Sequence, residues 1–257
     1  MKIPLRSFLT VGSLAFLLPV GAGAADIRVL CGDPISGPLA GLAETYGRDS
    51  GHRVELVFAP TIELVKRLAA GEPADAVLFV RRQFDNAVKT GRVMAASRTE
   101  FGRIGVGVMV RAGAPAPDIS TANALKNALL GADSVVFNER TTGTHFAGVL
   151  ERLGIADELK GRIVRAEFNA GVFEYVRKGK GKDLGFATMT VIMEDAGKTV
   201  RLVGPLPAPL QSYEPYYAGL TVDAKSPDAA RAFIRFLMSP QTQATLAKRG
   251  VEPPGKQ

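Results

Sequence analysis

The stretch Phe137-Asn-Glu-Arg-Thr-Thr-Gly-Thr-His-Phe146 gathers more chemistry than any other part of the chain. Thr141, Thr142 and Thr144 bring hydroxyls, His145 a ring nitrogen and Glu139 a carboxylate. Beyond it, Phe146, Val149, Leu150 and Leu153 recur at helical spacing, and Gly154 is a stop signal. The segment therefore reads as a strand end, a polar loop and the start of an amphipathic helix. Unpaired amides at a helix start attract an anion, and hydroxyls beside them add donors. Two similar strand-to-helix loops occur earlier, and the three are expected to converge on one small anionic ligand. Capping the helix is the other use for such threonines, and one side chain can do both. His145 is either a hydrogen-bonded residue of the first turn, or a ligand donor or general base. Glu139 is either a solvated surface group or a second candidate base. Gly143 serves backbone geometry.

Other chemistries find no support. The chain has one cysteine and two histidines far apart, so no metal-ligand spacing appears. No Gly-rich nucleotide loop follows a strand at the required spacing, and no G-x-S-x-G occurs. Cys31 has no disulfide partner and fits a buried thiol at a strand end. The formal net charge of +7 falls to +5 without Lys2 and Arg6. These basic residues are scattered and lack an aromatic platform, which argues against nucleic acid. Tyr213, Tyr216 and Tyr217 either pack at a hinge or turn a phenol towards the ligand.

The positioning elements follow from pattern. Lys2 and Arg6, the apolar run Phe8 to Val20 and Ala22-Gly23-Ala24 form an export signal over 1–24, too short an apolar run to span a bilayer comfortably. Strands are predicted at 26–31, 53–58, 74–80, 104–111, 134–137, 162–168, 183–187, 200–203 and 217–222. Helices are predicted on Leu39, Leu42, Ala43 and Tyr46, from Ile62 to Leu68, from Phe84 to Val88, from Ala122 to Leu130, and around Phe173 and Val176. Ser226-Pro227 and Ser239-Pro240 start the last two helices. This alternation implies an α/β fold with mostly parallel sheets.

Several segments in this order resemble periplasmic solute-binding proteins, in particular the molybdate-binding-like family of ABC-transporter components. They are the export signal, APTIELVKRLAAGEPADAVLFV, GVLERLGI and SPDAARAFIRFLMSPQTQATLAKRGVEP. The resemblance covers most of 26–253. It implies a two-lobed periplasmic-binding-protein fold (type II), each lobe a mostly parallel sheet with flanking helices. Lobe 1 would comprise 25–110 and 221–257, and lobe 2 would comprise 111–220, with the ligand clamped between them. It also implies a monomer, no cofactor and an ABC-type permease as partner.

Oxoanion sites in that family resemble a ring of hydroxyls and helix-start amides. Carried over by position, the ring falls on Ser36, Thr61, Thr141, Thr142 and Thr144. The chain departs from the pattern with Cys31-Gly-Asp33 in the first loop and with Arg81, Arg82 and Arg140 at later loops. A tetrahedral oxoanion does not require such cations, whereas a polycarboxylate gains from bidentate guanidinium contacts. Both ligand classes stay open. Periplasmic aconitate isomerases also resemble this family. On that alternative Arg81, Arg82 and Arg140 would clamp an unsaturated tricarboxylate while His145 or Glu139 moves a proton.

Overall fold

In most of the core strands, apolar residues face alternately to the two sides of a sheet, and both sides are covered by helices. Ile27, Val29 and Cys31 enter one core while Leu30 enters another; Val135 and Phe137 separate from Val136 in the same way. A strand buried on both faces must be apolar at nearly every position. The computed structural model describes residues 24–255. The expected export signal lies, except for Ala24, outside the described residues.

The chain opens with β1 (Asp26–Gly32), a 3-10 turn, α1 (Ser36–Leu39), α2 (Leu42–Ser50), β2 (Arg53–Ala59), α3 (Thr61–Ala69), β3 (Ala76–Val80) and α4 (Arg81–Lys89). The helix expected around Leu39 to Tyr46 is broken into α1 and α2. Gly41 sits between them at φ +75°, a left-handed turn that ends one helix and starts the next. A long strand, β4 (Thr99–Arg111), follows, then α5 (Ala122–Leu130), β5 (Ser134–Asn138), α6 (Thr141–Arg152), α7 (Ala156–Leu159), β6 (Ile163–Ala166), α8 (Asn169–Lys178), β7 (Asp183–Thr188), α9 (Met189–Asp195) and β8 (Val200–Pro205). The chain ends in β9 (Tyr213–Leu220), α10 (Pro227–Leu237) and α11 (Pro240–Ala247). Among the described residues, no helix is long and apolar enough to cross a membrane.

The strands lie in the order β2-β1-β3-β9-β4-β7-β5-β6, with β8 also paired to β4. β4 joins two lobes. Its residues Thr99 to Gly105 pair with β9, and Val106 to Arg111 pair with β7 and β8. β9 pairs throughout with β3 and with the first half of β4. The partners of β4 therefore change at Gly105–Val106, and β9 already belongs to the first sheet at Tyr213.

Strand direction now fixes where a site can be. β9 runs antiparallel to both β4 and β3, so β3 runs towards the second lobe, and β1 and β2 run with it. β7 is antiparallel to β4, so it runs towards the first lobe, and β5 and β6 run with it. The carboxyl ends of all six parallel strands thus face one another across the crossing. Ligands of open α/β sheets bind outside such ends.

Candidate functional site

A helix begins within three residues of the end of β2, β3, β5, β6 and β7, and a 3-10 turn and α1 follow β1. Helix starts from both lobes are therefore directed at the same region. Their N-cap positions are Pro60, Val80, Arg140, Phe168 and Thr188, and none makes a side-chain cap hydrogen bond. Elsewhere α5 and α11 are capped, by Thr121 onto Ala124 N and by Ser239 onto Thr242 N. First-turn amides left without a cap carry the positive end of the helix dipole into the crossing.

On the first lobe, Ser36 and Thr61 sit at neighbouring strand ends. The Ser36 hydroxyl donates to the Asp33 carbonyl at 2.8 Å. Thr61 packs so tightly on the first loop that a Cβ at Gly32 would lie 2.5 Å from Thr61 Oγ1. Arg81 and Arg82 form the first turn of α4, which starts three residues earlier than its apolar spacing indicated. Both are exposed, and neither forms an ion pair among the described residues. The Arg81 guanidinium carbon lies 5.9 Å from the Tyr217 ring centre.

On the second lobe, Glu139, Arg140, Thr141, Thr142 and Thr144 cluster at the end of β5. The threonines occupy the first turn of α6 and not a loop before it. None of them caps the helix; Asn138 takes that role, its Oδ1 accepting from Arg140 N at 2.9 Å and Gly143 N at 3.2 Å. Gly143 is required there, because a Cβ would lie 1.5 Å from the Asn138 carbonyl oxygen. Thr142 and Thr188 bring their hydroxyls within 3.3 Å, linking the starts of α6 and α9. The Arg140 guanidinium lies over the exposed Phe168 ring at 4.4 Å and contacts Glu167 at 3.4 Å. Glu139 is exposed. His145 stands one turn further along, and its Nε2–H donates to the Leu210 carbonyl at 2.9 Å.

The tyrosines divide. Tyr213 and Tyr217 donate their hydroxyls to Glu252 (2.9 Å) and Glu100 (3.2 Å). Tyr216 is buried in the first-lobe core, and burial holds its phenol well above the usual range, with Glu214 and Asp33 adding to the effect. Burial also raises the carboxyls of Asp33 and Glu214; Glu63 adds to the first, and Arg81 opposes the second. Asp33, Asn138, Asn169 and Glu214 were not singled out from sequence. Asn138 and Asn169 have a readable signal, since each is an amide where a strand meets a helix, and they bond to each other at 2.6 Å. Glu214 has none, hidden between Tyr213 and Pro215. Cys31 is buried as expected, and burial raises its thiol.

Two hollows of about 530 and 430 Å³ lie away from the crossing. Asp133, Glu174, Lys178, Lys180 and Asp183 line the first, and α10 residues line the second together with Ser97, Thr99 and Leu220. Among the described residues there is no group of three or more His, Cys, Asp or Glu placed to hold a metal ion.

Known proteins share this architecture. A transporter substrate-binding domain from Clostridium difficile superposes with a TM-score of 0.76 at 17% identity, covering 90% of this chain and 100% of that one. An aconitate isomerase of Pseudomonas sp is 29% identical over 88% of this chain and 87% of its own. The molybdate-binding protein ModA of Azotobacter vinelandii is 26% identical over 95% and 96%. The fold is the two-lobed type II periplasmic-binding-protein fold. Residues 27–252 match the model of a family described as bacterial extracellular solute-binding protein, and the chain belongs to that family.

Proposed function

We propose that the protein closes its two lobes on a small anion and delivers it to an ABC-type membrane permease. One observation carries this reading: the starts of α3 and α4 on one lobe and of α8 and α9 on the other are directed at the crossing without side-chain caps, and exposed Arg81, Arg82 and Arg140 stand beside them. Each helix start contributes about 0.3–1 kcal/mol to holding an anion. Each guanidinium–carboxylate hydrogen bond adds roughly 1.5–3 kcal/mol. Arginines on both lobes fit a small organic polycarboxylate better than a tetrahedral oxoanion such as molybdate, which neutral donors hold. Ser36, Thr61, Thr141, Thr142 and Thr144 stay in the proposed ring as those neutral donors. Calorimetric titration with molybdate, tungstate and trans-aconitate tests the choice. Arg81→Ala or Arg140→Ala should weaken trans-aconitate tenfold or more, about 1.4 kcal/mol, and change molybdate by less than about threefold. Equal losses for both would show that the arginines do not select the ligand.

A second reading is favoured by the half-buried Glu214 beside Arg81 and by likeness to a protein named aconitate isomerase. In it the same cleft isomerises an unsaturated tricarboxylate. Arg81, Arg82 and Arg140 hold the carboxylates, and one acid–base group moves a proton; the sequence offers His145 and Glu139 for that task. Incubation with trans-aconitate decides it: cis-aconitate forming at a rate proportional to protein supports the enzyme, and binding without conversion leaves the transport reading alone.

A further inference from the structure

Glu214 stands on β9 opposite Ile104, where β4 leaves the first lobe and the six strand ends converge. Two other carboxylates on this crossing are engaged. Glu100 accepts from Tyr217 Oη and Gly255 N, and Glu252 accepts from Tyr213 Oη and faces Arg103. Glu214 is half-buried, yet among the described residues it has neither a hydrogen bond nor an ion pair. A carboxylate partly withdrawn from water without a donor is disfavoured in its charged form. Burial accordingly raises its pKa, and Arg81 from α4 offsets this only in part. Tyr216, on the same strand, feels the charge of both Glu214 and Asp33, and Asp33 in turn that of Glu63. A half-buried carboxyl with a raised pKa and free of partners suits proton transfer.

We infer that Glu214 is the group that exchanges a proton with an unsaturated polycarboxylate held between the lobes. The inference rests on the isomerase reading above and supplies its acid–base. Of the two candidates legible in sequence, His145 already donates Nε2–H to Leu210, and Glu139 lies exposed at the rim. In the step, a Glu214 carboxylate oxygen takes a proton from the methylene next to the double bond. The released electron pair forms the new double bond, the old π pair moves to the far carbon, and that carbon takes a proton back from the same carboxyl. Nothing is oxidised or reduced, and no co-reactant is consumed. Arginines on the substrate carboxylates would stabilise the charge that spreads onto them in the transition state.

The test is trans-aconitate in D₂O followed by proton NMR. The wild-type protein should form cis-aconitate and incorporate deuterium. Glu214→Gln should lose both by about 100-fold or more while its affinity for trans-aconitate, measured by calorimetry, changes less than about threefold. If Glu214→Gln does not fold, Glu214→Asp keeps an acid one methylene shorter, and the acid limb of its pH–rate profile should shift; an unmoved limb overturns the inference. Deuterium incorporation that survives in a folded Glu214→Gln overturns the inference alone. No conversion by the wild type overturns the inference and the isomerase reading together, and leaves anion binding standing.

Discussion

The two ends of the same parallel strands are built on opposite plans. At the amino ends, charge is consumed internally. Arg28 contacts Glu55 at 2.7 Å and Glu72 at 2.9 Å, and Arg67 contacts Glu72 at 2.5 Å. Asp75 accepts from three backbone amides, of Arg28, Lys225 and Ser226. Arg162 donates to the carbonyls of Leu130 and Ala132, and Ser134 bonds to Asp183. At the carboxyl ends, the starts of α3, α4, α8 and α9 lack side-chain caps, and among the described residues Arg81 and Arg82 lack ion partners and Glu214 lacks a donor. The charged groups named at one end are paired, and those named at the other are left open. Open groups are tolerated in a folded protein where water or a ligand completes them.

That contrast can be broken from the closed side first. Asp75→Ala strands three amides at a site only 5% exposed. It should destabilise the protein by about 3 kcal/mol or more, read by urea denaturation, with anion affinity unchanged in the folded fraction. Glu72→Gln is the next largest change, about 1 kcal/mol. The Arg67 guanidinium first, and Arg28 second, hold the Glu72 carboxyl at about 2, down from the ordinary 4.5. A pKa depressed by folding contributes stability that is complete above pH 4.5 and disappears as pH falls towards 2. The gap between wild-type and Glu72→Gln melting temperatures should therefore be widest at neutral pH and close across that window. A gap that widens in acid would contradict the assignment. Smallest of all, Arg81→Ala and Arg82→Ala should change stability by less than about 0.5 kcal/mol, because nothing in the fold depends on their charge. A loss as large as that of Asp75→Ala would place them with the closed end.

Much of this plan is legible in the sequence, and the remainder is not for definable reasons. Periodicity finds β2, α3, β3, α5 and α6 because each has one buried face or two. Ser239-Pro240 announces α11 correctly, cap included. The strand ends before Arg81, Arg82 and Thr141 are also readable, and these residues follow β3 and β5. The start of α4 is missed because Arg81 and Arg82 are polar first-turn residues that carry no apolar period. Short α7 and α9 give too few turns for a pattern. Strand β4 is apolar over most of its length, so composition does not mark Gly105–Val106 as the point where its partners change. Long-range contacts are beyond local patterns altogether. Nothing near His145 announces Leu210, and nothing near Glu214 announces Arg81: the first pair joins α6 to the turn before β9, and the second joins β9 to the helix that follows its neighbour β3.

Amide hydrogen exchange with and without saturating trans-aconitate tests most directly whether the open ends hold an anion. Slower exchange is expected at the first-turn amides of Thr61, Ile62, Arg81, Arg82, Thr141 and Thr142, on both lobes together, with no change at Ala122 to Ala124 of capped α5. Protection confined to one lobe, or appearing equally at α5, would contradict the account.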